Sequence, residues 1–347
     1  MLLHPTNAGT ACLALAAVFL GGLAPMDDPL HELLDVDLAR DGASLVSEVL
    51  VPEAEFTAAL PSWNVAGRTP FTVDVRVSAE AEGDEWSPWL RIGDWGIDRR
   101  TEDVVVEFEG GKVAIDVLDL KAPQRRAQLR FEPARKSKRL SASDVRAHIV
   151  LSDLRRIDAR MSAAAEEPWP DAIQLDVPTR SQRRAGDDIG GRICSPTSVA
   201  MVVSYHGVSV PTRKMAETLL DPHHGIYGNW NRAVQGAYSH GIPGQLVRVS
   251  SWSTVRAYLA EGRPLIASIR AKKGELTGAP YASTGGHLLV VTGLDADGVV
   301  LVNDPAASSP DEVPRRYLRS EMERVWFRNG GVVYALDAPD TKERRDR

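Results

Sequence analysis

The chain reads as an α+β protein in two parts: an all-β, sandwich-like domain, then a domain whose helices come before its sheet. Three observations predict this. A length of 347 residues suits two domains of about 100–200 residues each. Residues 54–154 carry short alternating apolar runs divided by turn material, and beyond residue 170 apolar helical stretches precede apolar strand-like ones. A composition of 43% hydrophobic and 25% charged residues is that of a globular chain, which excludes disorder, collagen and coiled coil as the main architecture. The net charge of −6 excludes an electrostatically driven nucleic-acid binder, so no nucleic-acid partner is expected.

At the N-terminus, residues 11–24 (ACLALAAVFLGGLA) are apolar apart from glycine, and no Asp, Glu, Lys or Arg precedes Asp27. The run is shorter than the roughly 20 residues of a membrane span but suits the core of a secretory signal. Gly21, Gly22 and Ala24 supply small residues for cleavage, although His4 and the terminal amine stand where Lys or Arg is usual. Residues 1–24 are therefore expected to be a removable signal peptide, with the mature protein exported to the cell-envelope exterior and free of a transmembrane span. Of the two cysteines, Cys12 would leave with that peptide, and Cys194 would remain without an intrachain partner. An odd thiol in an exported chain points to intermolecular pairing or to reactivity, against the plainer alternative of an inert buried Cys.

In the β-rich part, expected over 30–155, the run 70–81 places Phe71, Val73, Val75 and Val77 on one face of a half-buried strand. Residues 104–108, 113–118 and 127–131 are further short strands, separated by Glu109-Gly110-Gly111 and by Ala122-Pro123. Trp63, Trp86, Trp89 and Trp95 fall here. They are read as core packing, with stacking on a cell-wall glycan as the alternative partner role. Residues 156–170 mix charge, Ala and Pro and read as a linker, and 339–347 as a charged, disordered tail.

The second domain, 171–338, opens with a helical stretch at 199–205 that is apolar at nearly every position. A second helix over 254–261 is stopped by Gly262 and Pro264 and followed by a strand at 265–270. Residues 287–293 and 299–303 form a hairpin around Asp295-Ala296-Asp297-Gly298.

Cys194 stands in Gly190-Gly191-Arg192-Ile193-Cys194-Ser195-Pro196, directly before the apolar helix. Pro196 suits a first helical turn, so the sulfur falls at a helix N-terminus, where peptide dipoles and free N–H groups favour the thiolate. A thiolate nucleophile needs an imidazole to hold its proton. His287 opens one strand of the hairpin, and Asn303-Asp304 closes the other, so one of these two side chains should lie beside His287 and fix its tautomer. A zinc set of Cys194 with His206, His223 and His224 matches no usual zinc spacing, and Asp295 and Asp297 suit the turn better than a calcium loop. No metal and no cofactor are expected. Trp230, in Tyr227-Gly228-Asn229-Trp230, is read as packing beside a possible substrate groove.

The segments QRRAGDDIGGRICSPTSVAMVVSYHG (182–207) and GGHLLVVTGLDADGVVLVNDPAA (285–307), with the order Cys, His, Asp, resemble the bacteriocin-processing (double-glycine leader) peptidase family. This is a branch of the papain-like cysteine peptidases, and the chain is most similar to its exported, stand-alone members. The resemblance covers residues 171–338. It implies a papain-like fold there, with Cys194 as nucleophile, His287 as general base and acid, Asp304 as the orienting residue and Gln182 as an oxyanion donor. Two departures stand out: Ser195 replaces the glycine common after the cysteine, and Arg183 to Gly191 look inserted between Gln182 and Cys194. The expected activity is hydrolysis of a peptide or protein substrate through a thioester. The alternatives are an acyl transferase using the same thiolate, or an inactive papain-like protein that binds a glycan or a partner through the β domain.

Overall fold

The computed structural model describes residues 30–97, 105–135, 137–166 and 168–339. The expected signal peptide, and the tail from residue 340 onward, lie outside them.

Two antiparallel sheets build the first half. One runs His31–Val36, Val145–Ser152, Phe56–Val65, Val117–Gln124, Gly111–Ala114 and Val105–Phe108 in spatial order. The other runs Leu38–Asp41, Ser44–Ser47, Arg126–Pro133, Phe71–Ser78 and Leu90–Trp95. Their facing side chains share one apolar core, as the alternation in 70–81 demands: Phe71, Val73, Val75 and Val77 are all buried in it. Trp63 sits at its centre, edge-on to Phe71 and Phe131 at 6.3 and 6.0 Å. Truncating a side chain of this size and burial costs about 3–5 kcal/mol. Gly93 is required there, since a Cβ would come within 2.6 Å of the Trp63 ring.

Trp95 packs against the edge of that core, but Trp86 and Trp89 do not share it. Arg76 stacks between Trp86 and Trp89 at 4.6 and 4.5 Å, while Arg126 covers Trp86 and Arg130 covers Trp89. These rings are therefore sandwiched by guanidinium groups, a cation–π ladder on the outer face of the second sheet. Trp95 lies under Arg232 of the second half. The core-packing expectation holds for Trp63 and, at the core's edge, for Trp95, but not for Trp86 and Trp89.

Two further expectations are corrected. Residues 113–118 are not one strand: the chain reverses between Gly111–Ala114 and Val117–Gln124. The reversal uses Ile115 at φ 59°, a left-handed conformation rare for a β-branched residue, with Asp116 N–H donating to the Ala114 carbonyl. Within 156–170, helix α1 (Ile157–Glu166) replaces irregular chain, and its Met161 is buried with the second half.

The second half carries a seven-stranded antiparallel sheet. Its order is Gly244–Arg248, Val332–Leu336, Leu265–Ala271, Thr284–Leu294, Val299–Asn303 and Pro314–Leu318, with Ile173–Gln174 also paired to Thr284–Leu294. Helices α2 (Cys194–Tyr205), α3 (Thr212–Leu219) and α4 (Trp230–Ser239) cover one face; α1, α5 (Trp252–Ala260) and α6 (Arg319–Val325) cover the other. Along the strand holding His287, Leu288 and Val290 face the first layer while Leu289 and Val291 face the second. Burial on both faces explains why these strands read as unbroken apolar runs. No described helix is long and apolar enough to cross a membrane.

The halves are joined by buried backbone-to-side-chain pairs. Gln235 of α4 accepts from Val65 N–H at 2.8 Å and donates to the Val65 carbonyl at 3.0 Å. Asn64 makes the same reciprocal pair with Gly244, at 3.0 Å both ways. Leu60, Val117 and Val150 of the first half join the apolar layer of α2–α4, so one core crosses the junction.

Candidate active site

Cys194 is the first residue of α2 and the one partly exposed member of an otherwise buried group. No side chain caps this helix end. The next residues anchor it instead: Ser195 hydroxyl meets Tyr334 hydroxyl at 3.2 Å, and Ser198 hydroxyl donates to the Leu288 carbonyl at 3.1 Å. Ser195 thus fits where the resembling family has glycine, because it points into the core.

His287 is buried on the adjacent strand, and its Nε2–H donates to Asp304 Oδ1 at 2.8 Å. The imidazole and the Cys194 thiol are close enough to shift each other's pKa, and with Nε2 engaged by Asp304 it is Nδ1 that is left to serve the sulfur. Burial pushes the thiol up, but His287 and the N–H groups of Leu288 and Ser195 outweigh it, so its pKa is lowered. Burial lowers the imidazole pKa; the Asp304 charge and hydrogen bond, with the thiol, reverse this and raise it to about 10. Both directions favour a thiolate–imidazolium pair at neutral pH.

Asp304 is fully buried, yet its pKa is lowered: burial raises it, and His287, the Ala306 N–H and the Tyr317 hydroxyl bring it down further than burial lifts it. Oδ1 accepts from His287 and from Ala306 N–H at 3.0 Å, and Oδ2 accepts from Tyr281 and Tyr317 hydroxyls at 3.0 Å each. The Tyr281 ring also stands edge-on to the imidazole at 4.9 Å. No motif pointed to either tyrosine, since both come from other segments of the chain.

The hairpin register differs from the simple expectation. Val290 pairs with Asn303, which leaves His287 beyond the end of the partner strand. Asn303 turns away and donates to the Val177 carbonyl at 2.9 Å, so Asp304 is the residue that reaches the imidazole. The turn itself is as expected: Asp295 Oδ1 accepts from Asp297 and Val299 N–H, and Gly298 takes φ 76°.

Gln182 is buried at the start of a short 3-10 turn (Gln182–Ala185), with its N–H on the Pro305 carbonyl. Its Nε2 donates to the Gly190 carbonyl at 2.9 Å, while Oε1 meets no partner. The segment from 183 to 191 folds back on itself, with Gly190 N–H on the Gly186 carbonyl.

A cleft of about 290 Å³ opens beside Cys194. One wall is Ile226, Tyr227, Gly228 and Trp230, from the loop between α3 and α4. Trp230 lines the cleft as well as packing against the core. Asp221 ties this loop together, accepting from His223 N–H, His224 Nδ1 and Asn229 Nδ2 at 2.8, 2.8 and 3.0 Å. The first half clamps it from outside. Asp94 pairs with His223 at 2.7 Å, and Asp116 accepts the Trp230 N–H at the start of α4. Burial pushes the Asp116 carboxyl up to about 7, even with that donor. The three histidines considered with Cys194 for zinc are engaged elsewhere: His206 on the Leu336 carbonyl, His223 on Asp94 and His224 on Asp221.

Two family models match the chain. The model of the Peptidase_C39 like family matches residues 174–334, and that of the Peptidase C39 N-terminal domain matches residues 24–152. No curated protein matches the chain. On these two matches, the chain belongs to the C39-type family of papain-like peptidases.

Proposed function

We propose that the protein is an exported cysteine peptidase, papain-like in its second half, that hydrolyses peptide bonds through Cys194, His287 and Asp304. One observation carries the reading: the buried imidazole of His287, held by a fully hydrogen-bonded Asp304 carboxylate, lies near enough to the Cys194 thiol at a helix N-terminus for each to shift the other's pKa. The Cys194 thiolate attacks the peptide carbonyl carbon. Negative charge then develops on the carbonyl oxygen, where the Cys194 backbone N–H and the second amide proton of Gln182 serve as donors. His287 Nδ1–H protonates the departing amine, leaving a thioester on Cys194. The now neutral Nδ1 takes a proton from water, whose oxygen attacks the thioester, and sulfur leaves as the thiolate, so the acid is released and the thiolate–imidazolium pair restored. Asp304 stays ionised and holds the ring.

Export rests on residues 1–24 alone, whereas an accessory domain over 30–155 and a peptidase domain over 171–338 are supported by the change from two packed sheets to one sheet covered by helices. The cleavage test is a peptide-library digest with wild type and Cys194→Ala. Wild type should cut a subset of peptides and the variant should lose at least about a thousandfold in rate. Equal cleavage by both proteins would remove the thiol from the mechanism.

A further inference from the structure

Among the described residues, the cleft beside Cys194 is lined by two arginines, Arg192 and Arg270, and by no Asp or Glu. Arg192 lies two residues before the nucleophile, its guanidinium 5.2 Å over the Tyr227 ring on the loop wall. Arg270 lines the cleft from the sheet, at the irregular step of its strand where Ile269 pairs with His287 and Ala271 with Thr284, beside Gly285-Gly286. Both arginines are exposed, and neither has a carboxylate within ion-pair distance among the described residues. Other arginines of the second half do meet carboxylates, as Arg213 does Asp188 and Arg263 does Asp337. A Cβ at Gly228, Gly285 or Gly286 would meet nothing within 4 Å, so the space between the two arginines is open down to the backbone. In a chain of net charge −6, two unmatched cations in one cleft are a local reversal of sign.

We propose that Arg192 and Arg270 select substrates bearing a carboxylate close to the bond that Cys194 attacks. This names a substrate class for the peptidase reading and rests on it. A guanidinium offers a planar fork that matches a carboxylate, and lining one cleft lets either arginine meet an acidic group on the extended chain. The carboxylate has two sources, an internal Asp or Glu side chain or the free C-terminus of a short peptide.

Alkylation of Cys194 reads this without a known substrate. Iodoacetate carries a carboxylate and iodoacetamide does not, so the ratio of their rates reports the cleft's preference, with the imidazolium contribution common to all variants. The ratio should fall about tenfold from wild type to the Arg192→Gln/Arg270→Gln double variant. In wild type itself it should fall as salt rises from low to about 1 M, where the screening length shrinks to about 3 Å. A ratio unmoved by both changes overturns the proposal. Peptide pairs then separate the sources. Faster cleavage of an internal Glu peptide than its Gln twin assigns the side chain, and faster cleavage of a C-terminal acid than its amide assigns the terminus; equal rates in both pairs overturn the proposal. If the alkylation ratio behaves as expected and no peptide is cut, the peptidase reading fails while the carboxylate preference stands.

Discussion

Asp304 and Gln182 are both buried, but they are held in opposite ways. Each Asp304 oxygen accepts two hydrogen bonds, from His287, Ala306, Tyr281 and Tyr317. Gln182 donates once, to the Gly190 carbonyl, and its own carbonyl oxygen meets nothing. The contrast separates two kinds of contribution. Asp304 acts on the imidazole directly and sets its charge. Gln182 acts first on the chain that leads into Cys194, by pinning Gly190. The first is electrostatic and should register in pH dependence; the second is positional and should not.

The largest expected effect breaks the electrostatic side. Asp304→Asn keeps the shape but removes the charge that raises the His287 pKa to about 10. Activity should fall by about 10³–10⁴-fold, as expected when an orienting carboxylate loses its charge. The sign of the pH change follows. With the carboxylate gone the imidazole loses its proton at lower pH, so the alkaline limb of the rate profile should retreat from near pH 10. An unchanged limb would detach Asp304 from the titration of the pair.

Gln182→Ala should come next, losing about 10²-fold in kcat, the scale of one oxyanion donor. Its pH profile should match wild type, because neither the thiol nor the imidazole touches Gln182. A shifted limb in this variant would erase the distinction drawn above. The smallest effect is expected at Asn303→Ala. It removes a buried bond to Val177, which should cost about 1–2 kcal/mol of stability in a denaturant titration. Activity should remain near wild type, whereas a loss comparable to Asp304→Asn would reopen which of the two neighbours orients the ring.

Much of the reactive pair was legible in the sequence because its signals are local. Pro196 and the apolar run after it mark a helix start at Cys194, and a turn sequence joins the two strands that carry His287 and Asp304. What was illegible depends on distant contacts or on backbone exceptions. Tyr281 and Tyr317 reach Asp304 from segments without any motif. Register slips between Val291 and Gly293, so counting residues back from the turn places His287 opposite the wrong neighbour. The turn at Ile115 defeats propensity, since a β-branched residue in the left-handed region is what no pattern rule expects. That turn presents Asp116 to the first residue of α4 beside the cleft, so the misread stretch is one through which the first half supports the site. Composition likewise could not separate Trp63, packed in a core, from Trp86 and Trp89, packed between arginines.

The claim at the centre of this account is that Cys194 rests as a thiolate paired with the imidazolium of His287. Following the rate of Cys194 alkylation by iodoacetamide across pH, in wild type and in His287→Ala, tests it directly. Wild type should react rapidly well below the ordinary thiol pKa of about 8.5, and His287→Ala should react only as pH approaches or exceeds that value. Two superimposable profiles, both rising at the ordinary thiol pKa, would contradict the account.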